Sequence, residues 1–245
     1  VSGPGRDDGD VTDEAAPTRA SSARRLRLVV AGVLTVAIVL LVGVALGRLS
    51  SPNPVTPGTD SVEAGFSRDM QVHHEQAVQM AMMVRDRTDD PDVRSLAYDL
   101  ALTQSQQAGQ MYAWLELWRV PQAPSEPTMT WMTRPTLDGD YGSHHMSGEG
   151  GASGSATPVA THEPGGRMPG LATDEQLASL DSARGVEAER VFLTLMIAHH
   201  EGGIEMADAI LARSEVPQVR AFASGMVQTQ QSEVDAMQAM LAERG

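Results

Sequence analysis

The pattern of apolar and polar positions divides the chain into three regimes. Residues 1–27 are polar and rich in Gly, Pro, Asp and Ser until an Arg cluster at Arg24, Arg25 and Arg27. A segment that buries so little apolar surface is expected to be disordered. From Leu28 to Gly47 no charged residue interrupts the apolar run. Twenty residues at about 1.5 Å each cross about 30 Å of hydrocarbon. The Arg cluster on the N-terminal side predicts a single-pass membrane helix over 28–48, with a cytoplasmic N-terminus and the rest of the chain outside. A cleaved leader with secretion is the rival reading, but a signal's apolar region is usually about 7–15 residues and ends in a small-residue cleavage site. Either reading exports the C-terminal portion of the chain. Residues 49–61 hold Pro52, Pro54 and Pro57 and read as an extended linker.

From residue 62 onward the apolar positions recur on a helical period. A first helix is expected from 62 to about 88, capped by Asp60 or Ser61. A second runs from 91 to about 119, with Asp90 as N-cap and Pro91 in the first turn. Residues 120–170 are rich in Pro, Gly, Ser and Thr and read as a flexible crossover. Thr173-Asp174-Glu175-Gln176 is a capping-box signature for a short helix to about 183. Two more long helices are expected, about 186–213 and 217–243. Two helical hairpins joined by a long crossover predict an all-α, ferritin-like four-helix bundle over 62–245.

The hairpins are copies of each other. A shift of 126 residues without gaps lays 66–116 over 192–242, and about a third of the positions are identical. Each copy carries Met-x-x-His-His-Glu-x-x-x-x-Met: Met70, His73, His74, Glu75 and Met80 in the first, and Met196, His199, His200, Glu201 and Met206 in the second. On a helical wheel the Met and His residues share one face with Phe66 or Phe192, while Glu75 and Glu201 point away and read as solvated. Gln104 and Gln107 fall inside the apolar stripe of the second helix, as do Gln230 and Glu233 in the fourth. Polar groups so placed require partners, since burying one unpaired costs about 1–3 kcal/mol.

Composition narrows the chemistry. There is no Cys, which removes disulfides and thiolate metal sites. After residue 48 there are 12 Arg against 27 Asp and Glu, a balance that argues against nucleic acid as a partner. Fourteen Met is high. Met at i with His at i+3 and i+4 puts a thioether and two imidazoles within one helical turn. Imidazole is a common metal ligand, and thioether sulfur favours Cu(I) among transition metals. The candidate ligands are therefore Met70, His73, His74, Met80, Met196, His199, His200 and Met206. Met80 lies about 10 Å along the axis from His73 and belongs to a second site or to the core. A di-iron site would need Glu-x-x-His on paired helices; Met70, Gln71, Met196 and Ile197 occupy those positions. His144, His145 and Met146 in the crossover read as a loose capture tract or plain linker.

The string Met168-Pro169-Gly170-Leu171-Ala172-Thr173-Asp174-Glu175-Gln176-Leu177, with Phe192, Met196, His199-His200-Glu201-Gly202, Met206 and Ala207 after it, resembles the DUF305 family of exported bacterial proteins. The resemblance covers about 62–243. It implies a ferritin-like fold and, from the family's copper-binding members, copper handling outside the cytoplasm by the eight Met and His positions named above. The first copy departs from the family in carrying Gln76-Ala77 where small residues are usual.

The expected function is thus a membrane-anchored, extracytoplasmic metal-binding protein that sequesters or transfers copper as Cu(I), with another transition metal as the alternative ion. Expected partners are the metal ion, the membrane and a copper donor or acceptor protein. Two other readings stand beside it: a metal-free helical interaction module whose His pairs close a network with Gln104, Gln230 and Glu233, and a metal-dependent redox enzyme.

Overall fold

The structure, a computed structural model, describes residues 19–50, 56–139 and 162–245. His144, His145 and Met146 lie outside the described residues. The chain divides into two units near residue 54. The first holds α1 (Arg19–Ser50). Its window Arg27–Val44 has a mean hydropathy of 2.6 with none of it buried, so it is long and apolar enough to cross a membrane.

The second unit contains α2 (Val62–Arg85), α3 (Pro91–Trp118), a 3₁₀ turn (Thr130–Thr133), α4 (Asp174–Ser182), α5 (Val186–Leu211) and α6 (Pro217–Ala242). No strand occurs among the described residues. The fold is all-α, a ferritin-like four-helix bundle of two repeated hairpins, α2–α3 and α5–α6.

Local chemistry sets the helix ends. The Ser61 side chain accepts from Ala64 N–H, and Asp90 accepts from Asp92 and Val93 N–H with Pro91 in the first turn. Thr173 and Gln176 close a capping box at α4. The periodicity carries α2 to about 88, but the helix stops at Arg85 because Arg87 and Thr88 N–H both turn back to the Val84 carbonyl. α5 stops at Leu211 for the same reason, with Arg213 and Ser214 N–H on Ile210 O.

The repeat is also a repeat of contacts. Arg94 reaches back across its hairpin turn to the carbonyls of Arg85 and Thr88. Arg220, 126 residues on, does the same to Leu211 and Ser214. Carbonyls at a helix C-terminus have no partner within the helix, so a guanidinium there satisfies them. The two hairpins also exchange a repeat-matched pair of hydrogen bonds. Ser214 donates to Glu63 Oε1 at 2.6 Å, and Thr88 donates to Glu189 Oε1. These four residues are related by the same shift of 126, which is the signature of a pseudo-twofold axis between α2 and α5.

That axis sends the start of one hairpin to the far end of the other, and the core divides accordingly. One cluster holds Phe66, Met70, Met111, Leu115, Met206 and Ile210; the other holds Met80, Val84, Leu100, Phe192, Met196 and Met237. The two ends differ in one respect. The first counts seven buried methionines, because the crossover adds Met129, Met132 and Met168 to Met70, Met111, Met206 and Met226.

The described residues of the crossover on either side of the 140–161 stretch pack against the bundle. Trp131 is 2 % exposed and packs edge-on to Phe66, with ring centroids 5.5 Å apart. Its indole N–H donates to Asp69 Oδ2 at 2.9 Å, and Met129 N–H donates to the same oxygen at 2.7 Å. Gly65 is required beneath it, since a Cβ there would collide with the Trp131 side chain. Arg213 holds the carbonyls of Met132 and Arg134, and its repeat partner Arg87 holds Asp181 at the end of α4. One arginine position shared by both copies of the repeat therefore grips both flanks of the crossover. Burial of Met129, Trp131 and Met132 and the bonds to Asp69 hold these residues, and composition records neither.

Candidate metal centre

The histidine pairs sit mid-helix on the faces of α2 and α5 that meet each other. His73, His74, His199 and His200 are all fully buried. The His73 and His199 rings face each other across the axis, with centroids 3.8 Å apart and planes 35° apart. His74 and His200 flank them, each 6.3 Å from its neighbour on the same helix.

Every one of these rings is held by Nε2. His73 Nε2 donates to the Pro169 carbonyl at 3.0 Å, and His199 Nε2 donates to the His73 carbonyl at 2.9 Å. His74 Nε2 donates to Gln107 Oε1 at 2.8 Å, and His200 Nε2 donates to Glu233 Oε2 at 2.9 Å. All four acceptors are oxygens, so each ring carries a proton on Nε2, and a ring in its neutral form keeps its lone pair on Nδ1. The four Nδ1 atoms are buried and have no hydrogen-bond partner. Burial holds His73 down to about 4 and His74 down to about 3, and pushes His199 well below its ordinary value; neighbouring imidazoles add to the effect. His73, His74 and His199 therefore stay neutral over the physiological range, which is the ligating form.

The Pro169–Gly170 backbone lies against the α5 face of this layer. Gly170 has φ +71 and passes so close to Ala198 and His199 that a Cβ would strike the Ala198 carbonyl. Gly202 is required for the same approach, because a Cβ on it would run into Pro169. At the equivalent position of α2, Gln76 instead holds the crossover by two bonds: its Nε2 donates to Ala172 O at 3.0 Å, and Ala172 N–H donates to its Oε1 at 2.7 Å. The departure Gln76 for Gly202 thus has a cause, since one segment touches the two copies differently. Gly203 leaves room for the Gln230 amide.

Not all eight sequence candidates converge. The four histidines form one layer. Met70 and Met206 lie in the core cluster on one side of it, and Met80 and Met196 in the cluster on the other. The last Met of each copy thus joins the first Met of the other. Glu75 and Glu201 are exposed. Among the described residues no three His, Asp or Glu side chains converge as a metal site. The donors in and beside this layer are imidazole nitrogen and thioether sulfur, the kinds that suit soft transition-metal ions. Sequence reasoning placed Gln107 and Glu233 in the stripe but missed the Pro169 carbonyl, which no side-chain pattern reports. At the surface, His162 of the crossover has its Nε2 2.7 Å from Glu205 Oε1.

A crossover-linked four-helix bundle with two inward His pairs defines the class. The chain belongs to the DUF305 family: the family model, described as "Domain of unknown function (DUF305)", matches residues 63–241. Among solved structures, a DUF305 protein of Streptomyces coelicolor is similar at 43% identity over 76% of this chain and 95% of that one, with a TM-score of 0.62. A DUF305 fragment from Deinococcus radiodurans matches at 29% identity over 76% and 99%, with a TM-score of 0.55. CopM in its Cu(I)-bound form shares the fold at 19% identity over 75% and 96%, with a TM-score of 0.50. No curated protein matches this chain.

Proposed function

We propose that this protein is an extracytoplasmic copper-binding protein, tethered to the membrane by α1, that sequesters or transfers Cu(I) through its buried histidines and the methionines beside them. The observation that carries the reading is the set of four buried, unpartnered Nδ1 atoms on rings whose other nitrogen is fixed by an oxygen acceptor. A buried polar atom without a partner costs about 1–3 kcal/mol, and four together are hard to reconcile with a purely structural role. Metal-ligating histidines characteristically donate their remote N–H to a carbonyl or carboxylate, which fixes the tautomer and raises the basicity of the ligating nitrogen. His73, His74, His199 and His200 fit that arrangement. Met70 and Met206, with Met80 and Met196 on the other side, would supply thioethers, and these select Cu(I). The fold shared with CopM, solved with Cu(I) and with Cu(II) bound, is consistent with this reading.

The test is a Cu(I) titration of the full chain in detergent against a competing chelator. The expected result is tight binding that is lost when His73→Ala/His74→Ala is combined with His199→Ala/His200→Ala. Equal binding by the quadruple variant would remove the histidines from the site.

A metal-free interaction module draws on one observation, the hydrogen bonds from His74 to Gln107 and from His200 to Glu233, which resemble a structural network. It differs from the expected network in using Gln107, while the amide oxygens of Gln104 and Gln230 stay unpartnered. In this reading Cu(I) leaves the melting temperature unchanged; in the copper reading it raises it.

A further inference from the structure

A second set of metal-ligating side chains lies at the surface above the histidine layer. His162 and Glu205 are 2.7 Å apart, with side chains 21 % and 48 % exposed. They line a cleft of about 390 Å³ together with Met129, Pro169 and Gly170. Three features tie this cleft to the interior. Pro169 belongs to its wall, and the carbonyl of the same residue holds His73. Met129 belongs to its wall and also to the seven-methionine end of the core, with Met70, Met168 and Met206. Glu205 directly precedes Met206 on α5. The one cation in the cleft wall, Arg167, turns its guanidinium to the Leu171 carbonyl. The other ionisable residue there, Glu163, is acidic.

We propose that the His162–Glu205 cleft is the loading mouth of the protein: an accessible Cu(I) site at the His162 imidazole, oriented by the Glu205 carboxylate, from which the ion passes inward by way of Met129, Met168 and Met206 to the histidine layer. The proposal rests on the copper reading. The ion enters and moves on as Cu(I), so no electron is exchanged. An imidazole beside a carboxylate at the surface exchanges ligands readily because water reaches it, and thioethers hand on a soft ion at little desolvation cost. The three methionines that the crossover adds at this end of the bundle have a purpose under this assignment.

The experiment monitors the rate of Cu(I) transfer from a chelator complex to the full chain in detergent, alongside the amount bound at equilibrium. Three proteins are compared: the unaltered chain, His162→Ala/Glu205→Gln, and His162→Met. Loading by the double variant is expected to slow by at least about tenfold, the scale of loss when a positioned ligand or its partner is removed, with the equilibrium amount unchanged. His162→Met keeps a soft ligand and is expected to load at close to the unaltered rate. An unchanged rate in the double variant overturns the proposal, and so does a His162→Met protein as slow as the double variant. A fall in the equilibrium amount would make His162 part of the store and not its mouth, and overturns it too. If the unaltered chain binds no Cu(I), the copper reading fails first and this proposal with it.

Discussion

At the scale of single residues the protein turns on which nitrogen of each imidazole is held. His200 donates to a carboxylate and His74 to an amide, at positions related by the repeat. A carboxylate partner raises the basicity of the ring more than an amide does. Glu233→Gln makes the two halves alike; in the copper reading it should weaken Cu(I) binding at the His200 half by about 10-fold or more, measured by chelator competition. Gly202→Ala is expected to destabilise the fold by about 1–3 kcal/mol, because its Cβ meets the backbone of Pro169, which cannot swing aside. Gly203→Ala should cost less, since it meets only the movable end of Gln230. Denaturant midpoints of the two variants check the order. The histidines are legible in the sequence from their doubled spacing and their shared face. Their partners are less so. Gln104 and Gln107 both fall in the stripe of α3, and which of them meets His74 depends on how α3 is rotated against α2, a tertiary quantity that no wheel contains.

At the scale of elements the hairpin turns carry the repeat's least obvious identities. Arg94 and Arg220 satisfy helix-end carbonyls in turns at opposite ends of the bundle. Each change to Ala should destabilise by about 1 kcal/mol, a part-exposed charged hydrogen bond being worth little more. The double variant should show the sum, because distant sites with no shared partner add. Thermal melts of the three variants test this; a double variant much worse than the sum would mean that the turns are coupled through the bundle. All four long helices and the capping box are readable from periodicity and cap residues. The C-terminal ends of α2 and α5 are not, because there a second N–H folds back onto one carbonyl, a choice that both allowed geometries leave open locally. The packed crossover escapes a reading by composition for a different reason: Trp131 and Met129 are ordered by Asp69 on another element, and composition records nothing of that.

At the scale of the whole molecule the buried imidazoles set the response to acid. Burial holds His73 near 4 and His74 near 3 and lowers His199 well below 6.5, the ordinary value. In the unfolded chain these rings take up protons as the pH falls through 6.5, while in the folded protein they resist until far lower. The stability they contribute is therefore complete above about 6.5 and drains away as the pH falls towards 4 and then 3. The melting temperature should be level from pH 8 to 7 and decline steadily below 6.5, and the quadruple His→Ala variant should lose much of that slope. A flat melting temperature between pH 6.5 and 4 in the unaltered chain would mean that water reaches the rings.

The repeat alone would give a symmetric vessel. Hairpins related by a pseudo-twofold axis offer closely matched halves, and matched halves give their equivalent rings no order. A single peptide laid across such an axis cannot treat both sides alike, and the Met168–Ala172 stretch does not: it gives a carbonyl to His73, leaves His199 to find one on the opposite helix, rests on Gly202 and is held by Gln76. The degeneracy of the four rings is thereby lifted. Each becomes a chemically distinct nucleus with its own resonance and, in the copper reading, its own rank in the order of filling, so a duplicated half-protein acquires a direction.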